Sequence, residues 1–158
     1  MIKLVRMKEN DFRPWLKRSI KRYAAENVRA GYWRPTEAVV LAQRSFSELL
    51  PSGLETKDQF LYVVYDSGQL EKVGFLWFGI KESGSMRLGF IYDILIDRRF
   101  RRKGFGRNAL LALERIAKKL NTHAILLHMF AHNEGAKDLY EALGYAIKGV
   151  HMIKRLEN

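Results

Sequence analysis

The sequence predicts a mixed α/β domain with a mainly antiparallel central sheet flanked by helices. Three observations carry that expectation. A length of 158 residues suits one domain, residues 1–158. The apolar period changes from helical to alternating after Gly53 and returns to helical after Gly104. Turn residues divide the alternating middle into three pieces of strand length.

Ile2–Met7 reads as a first strand. Asp11 is placed to cap a helix, with Pro14 tolerated in its first turn. That helix runs to about Val28, with Trp15, Ile20, Tyr23 and Ala24 available for an apolar face, and Gly31 ends it. Thr36 can cap a second helix, Glu37–Leu50, stopped by Pro51-Ser52-Gly53. Phe60–Tyr65, Val73–Ile80 and Arg87–Ile96 are rich in β-branched and aromatic residues. Asp66-Ser67-Gly68 and Glu82-Ser83-Gly84-Ser85 separate them, which predicts a meander of three antiparallel strands. Beyond Gly104, Leu110, Leu111, Leu113, Ile116, Ala117 and Leu120 recur at helical spacing. Ala124–Phe130 is another strand. Asn133 caps a helix to about Leu143, with Gly144 suited to its end. Tyr145–Lys148 and Val150–Leu156 complete the chain as a pair of short strands. The order is β-α-α-β-β-β-α-β-α-β-β.

Apolar residues make up 47% and charged residues 28%, which argues against a disordered chain. Cysteine is absent, so disulfides, thiolate nucleophiles and thiolate metal sites are excluded, and no metal is expected. The longest apolar runs, Leu61–Tyr65 and Ala124–Leu127, are far too short to cross a membrane. The first eight residues interrupt their apolar members with charge. A cytoplasmic protein is the expectation. With 28 Lys and Arg against 17 Asp and Glu, the formal charge is +11. That balance suggests an anionic partner: nucleic acid, an anionic membrane or a phosphate-bearing small molecule.

Six of the ten residues from Arg98 to Arg107 are basic, and the segment follows a strand and opens a helix. Gly104 and Gly106 remove side chains where backbone N–H groups approach an anion. The helix start adds free donors and a positive dipole end. A pyrophosphate suits this arrangement, although glycines in a solvated basic loop would also serve as turns. Gly104-Phe105-Gly106-Arg107-Asn108-Ala109 matches G-x-G-x-x-A, but no repeated parallel β-α-β pattern surrounds it. A Walker A loop is excluded, because no Gly-Lys-Ser/Thr is present. Asn133 and Tyr140 lie seven apart and share one helical face. A phenol at a cleft can protonate a departing thiolate; the plainer alternative is a helix cap and a packed aromatic.

Arg101-Arg102-Lys103-Gly104-Phe105-Gly106 resembles the R/Q-x-x-G-x-G/A signature of the GNAT superfamily of acyltransferases. Ile91–Asp97 resembles that family's fourth strand, and Asn133…Leu139-Tyr140…Gly144-Tyr145 its second conserved block. The N-terminal part is similar to a bacillus-type branch. The resemblance implies a GNAT-like fold and an acetyl group moved from acetyl-CoA to a primary amine. It implies that main-chain groups of Ile94, Leu95 and Ile96 pair with the pantetheine arm as an added strand would. Arg101, Arg102, Lys103, Gly104, Phe105, Gly106 and Arg107 would hold the pyrophosphate, and Asn133 would bond the pantetheine arm. Tyr140 would be the general acid for the CoA thiolate. His128, where some relatives carry a glutamate, or Asp93, directly or through water, would be the general base. Trp15, Tyr23, Tyr32, Trp33 and Trp77 are aromatics for the acceptor side, with Glu26 or Glu37 to meet a cationic amine. Without cysteine, a ternary complex is favoured over ping-pong transfer; a serine intermediate stays open. A CoA-binding sensor without catalysis is a rival reading, as is a nucleic-acid module. Against the latter, the basic residues concentrate at one junction rather than over a face with interleaved aromatics. The acceptor is open, and so is assembly, with a homodimer among the options.

Overall fold

The computed structural model describes residues 1–156. Five strands form one sheet in the order β1-β2-β3-β4-β5: β1 (Ile2–Arg6), β2 (Gln59–Asp66), β3 (Glu71–Ser83), β4 (Met86–Ile96) and β5 (Ala124–Leu127). The first three pairings are antiparallel, whereas β5 runs parallel to β4. A parallel pair needs a crossover, which α3 (Phe105–Lys119) supplies. Before β2 come α1 (Glu9–Ala30) and α2 (Ala38–Leu49); after β5 comes α4 (Glu134–Ala142). No helix among the described residues is long and apolar enough to cross a membrane.

Strand alternation decides which helices cover which face. Leu61 and Val63 of β2 join Trp77 of β3 on one side, against Phe12 and Trp15 of α1 and Phe46 of α2. Tyr62 and Val64 join Leu76 and Phe78 on the other, against Leu110 and Leu113 of α3. The Trp15 and Trp77 rings meet edge to face at 5.6 Å between centroids. Both residues are sealed in the core, at 1% and 2% exposure, so neither is free to line an acceptor pocket.

Two local expectations shift. Asp11 stands inside α1 rather than ahead of it: its Oδ2 accepts the Lys8 N–H at 3.0 Å. The helix therefore starts at Glu9, and Pro14 falls beyond the first turn, on an exposed face. Water can serve the Asn10 carbonyl that the missing N–H would have bonded. The expected terminal pair, Tyr145–Lys148 and Val150–Leu156, does not form, and residues 145–156 contain no strand. Ile147, Val150, Met152 and Leu156 are exposed there. Strand-forming composition is not enough without an adjoining edge of some length, and β5 has only four residues.

The strand expected over Ala124–Phe130 also stops early, at Leu127. Its partner β4 carries an irregularity at this level, where Phe78 pairs with Ile91 but Trp77 with Asp93, leaving Tyr92 as the extra residue. A bulge of this kind bends and twists its strand. The β4–β5 ladder ends at the Ile91–Leu127 pair. On its other side β4 stays pressed against β3. A Cβ built on Gly74 would stand 2.1 Å from the Leu95 carbonyl oxygen and 3.0 Å from the Ile96 Cα. Gly74→Ala is therefore expected to displace the end of β4 and lower stability by about 1–3 kcal/mol, read from urea unfolding midpoints. Gly135→Ala, with open space around the added methyl, is expected to cost nothing.

Candidate active site

The bulge and the short β5 leave one edge of β4 open from Tyr92 to Ile96. The Asp97 N–H bonds the Val73 carbonyl at 2.8 Å. Alternation then turns the main chain of Leu95 towards Phe75 of β3 and that of Ile94 and Ile96 towards the open edge. The Ile96 carbonyl there accepts Arg101 Nε at 2.8 Å.

The basic loop follows directly. Phe100 is buried, and its ring meets that of Phe105 edge to face at 6.0 Å, so both ends of the loop are pinned. Between them Arg102 has φ +63° and Gly104 φ +82°. Left-handed residues of this kind gather successive amides into a concavity suited to anions. At Arg102 the conformation costs roughly 1–2 kcal/mol, as it does in the turns at Asp58, Leu70 and Asn121. The first helical bond of α3 runs from the Asn108 N–H to the Gly104 carbonyl at 3.1 Å. The amides of Phe105, Gly106 and Arg107 thus lack helical acceptors. Gly106 lies near Ile96 of β4 and Leu139 of α4, so the cradle adjoins both the open edge and the last helix. Arg101, Arg102, Lys103 and Arg107 are exposed, and none pairs with a carboxylate among the described residues.

α4 starts as its sequence indicates, with Asn133 Oδ1 accepting the Ala136 N–H at 3.4 Å. Its Tyr140 packs beside the core of the α3 face, 5.7 Å from the Tyr145 ring. Burial, and then the charge of Asp93, pushes the Tyr140 phenol up to about 12. Burial does the same to Tyr145, also to about 12, with smaller contributions from Glu114 and Tyr140.

The α1 side holds the acidic counterpart. Asp93 accepts Arg22 Nη2 on Oδ1 and the buried Ser19 hydroxyl on Oδ2, the latter at 3.3 Å. Both of its oxygens are thus engaged, and Nη1 of Arg22 is buried without a partner among the described residues. One turn further along α1, Glu26 Oε2 accepts Nε2–H of His132. Phe130 stacks on the His132 ring at 5.5 Å and 11°, and His128 meets Phe130 edge to face at 5.2 Å. His128 lies just past the end of β5, and partial burial of its ring, with a contribution from His151, lowers its pKa below the usual 6.5. That shift favours its uncharged form. Tyr23 and Tyr32 are exposed on the first helices' side, and Trp33 meets Tyr23 edge to face at 5.4 Å. Glu37 stands at the start of α2.

The expected residues therefore fall around one opening: Ile94, Ile96 and the cradle along it, Tyr140 on the α3 face, Asp93 on the α1 face, His128 at the rim. Ser19, Arg22 and the contact between Glu26 and His132 are the features that the sequence did not disclose. Only the helical spacing of Ser19, Arg22 and Glu26, at three and four, hinted that they share a side. The two tyrosines give a checkable consequence. Phenols held neutral in the fold, at about 12 against an ordinary 10.0, add stability below pH 10 that is lost as pH rises towards 12. Unfolding across that window should show the loss, and Tyr140→Phe should make the decline shallower.

Residues 23–145 match the acetyltransferase (GNAT) family. The chain is 37% identical over 155 residues to the uncharacterised N-acetyltransferase YycN of Bacillus subtilis, covering 98% of this chain and 99% of that protein. A second Bacillus subtilis N-acetyltransferase, YdgE, also uncharacterised, is 30% identical over 151 residues, with 95% of each covered. The crystal structure of YycN superposes with a TM-score of 0.94 at 36% identity, covering 100% of both chains. An open strand edge beside an amide cradle thus coincides with matches along nearly the whole length, and the chain belongs to the acetyltransferase (GNAT) family.

Proposed function

We propose that the protein transfers an acetyl group from acetyl-CoA to a primary amine by direct attack in a ternary complex. The observation that carries this reading is the open edge of β4, which runs directly into the amide cradle. An extended arm can add to that edge through the main chain of Ile94 and Ile96, with Leu95 between them. Its pyrophosphate then falls at Gly104, Phe105, Gly106 and Arg107, with Arg101, Arg102 and Lys103 around it. CoA carries about four negative charges, so these unpaired cations are a suitable counterpart. Asn133 has its side-chain N–H groups left for the arm, since its oxygen caps α4.

In this reading the amine gives up a proton to an uncharged base and its nitrogen attacks the thioester carbonyl. As the C–N bond holds and the C–S bond breaks, Tyr140 protonates the departing sulfur, and the proton shed by the adduct nitrogen restores the phenol. A phenol near 12 is fully protonated and ready to donate. Passing its proton to a thiolate of pKa about 8.5 is uphill, and a cationic amine adduct nearby offsets part of that difference. The ion pair of Asp93 with Arg22 favours a positioning role for that carboxylate over proton removal. Of the two candidate bases that the sequence offers, His128 is the one not held in an ion pair, and its pKa is lowered, mainly by burial. The proposal places this activity in the cytoplasm, on one domain spanning residues 1–158.

Thiol release from acetyl-CoA against a panel of alkylamines, diamines, amino sugars and peptide N-termini tests the reading. Tyr140→Phe is expected to lower kcat by about 100-fold or more while calorimetry shows CoA binding retained. Unchanged kcat would remove the acid assignment, and CoA binding without turnover of any amine would leave a sensor.

A further inference from the structure

The contact between Glu26 and His132 joins two segments 106 residues apart and lies on the α1 side of the open edge. We propose that His132, oriented by Glu26, is the residue that takes the proton from the acceptor amine. This rests on the transferase reading above and names its base.

The carboxylate can only accept, so the bonded nitrogen of His132 carries the hydrogen. That fixes the tautomer and leaves the lone pair on Nδ1, which has no hydrogen-bond partner among the described residues. Phe130, stacked in parallel, holds the plane of the ring. The imidazole is thus constrained in position, plane and tautomer, which is what a base requires before substrate arrives. Its side chain is 20% exposed, so a ligand can reach it. His128, by contrast, makes no side-chain hydrogen bond among the described residues.

Placement supports the same choice. Arg22, one turn before Glu26, binds Asp93 beside the point where β5 has left β4. Glu26 and His132 therefore stand next to the gap, across the sheet from Tyr140. His132 also immediately precedes Asn133, which caps the helix that bears Tyr140. Base and acid belong to one short unit, on opposite sides of the opening. Arg22 and Asp93 largely neutralise each other, so the Glu26 carboxylate is the local charge that stabilises the imidazolium once it forms. The ammonium proton passes to Nδ1, the freed nitrogen pair forms the C–N bond, the C–S electrons leave with sulfur, sulfur takes the Tyr140 proton, and the second proton of the adduct nitrogen passes through water to restore the Tyr140 phenol. The imidazolium then returns its proton to water.

His132→Gln is the informative variant, because the amide still donates a hydrogen bond to Glu26 but has no basic nitrogen. With acetyl-CoA and the best amine of the panel, kcat should fall by about 100-fold or more with acetyl-CoA affinity within about twofold of the parent. Glu26→Gln should lower kcat by about tenfold, and Glu26→Asp should recover part of it. Imidazole in solution should restore turnover to His132→Ala, which a merely structural role would not allow. If His132→Gln keeps kcat within about threefold while His128→Gln loses it, His128 is the base and the present assignment is overturned. Should His132→Gln fail to fold, an unchanged kcat in Glu26→Gln overturns it equally. A parent protein that turns over no amine overturns the transferase reading, a result distinct from either of these.

Discussion

The architecture turns on the place where β5 stops following β4. Two parallel strands that stayed paired would satisfy each other's main-chain groups and leave no opening. Here the ladder closes after the Ile91–Leu127 pair, because Tyr92 inserts an extra residue into β4 and bends it. Everything assigned to function is arranged about the resulting gap. The cradle continues β4, α4 hangs from the end of β5, and α1 crosses the opposite face. The backbone contact between Gly74 and Leu95 keeps the exposed half of β4 in line although it has lost one neighbour.

The charge distribution follows the same geometry. A chain with a formal charge of +11 would repel a cationic amine if its charge were spread evenly. The densest run of cations, six of the 28 basic residues, lies at the loop before α3, while Asp93 and Glu26 place two carboxylates on the α1 side of the gap. Arg22 is tied up by Asp93 and adds little net field.

How much of this the sequence disclosed depends on how local each feature is. The glycines, the basic run and the start of α3 lie within ten residues, and a strand-to-helix junction with that composition has few other conformations. The helical period placed Asn133 and Tyr140 on one face of a capped helix, while their roles came only from the family resemblance. The middle strands were found nearly to their ends, since alternation and turn residues agree there. The partners of Asp93 were not legible: Ser19 and Arg22 lie 74 and 71 residues away, and no local pattern joins them. The link between Glu26 and His132 is longer still. The terminal strands show the converse error, in which residues with the right composition have no edge to pair with.

Arg101 gives the opening a further property. A strand edge with unsatisfied main-chain groups is adhesive, and in principle any extended polypeptide could zip onto it. The guanidinium of Arg101 sits on the Ile96 carbonyl and stoppers the end of that edge. A neutral peptide would have to evict it without compensation. A ligand that brings its own phosphates would give Arg101 an anionic partner in exchange for that carbonyl.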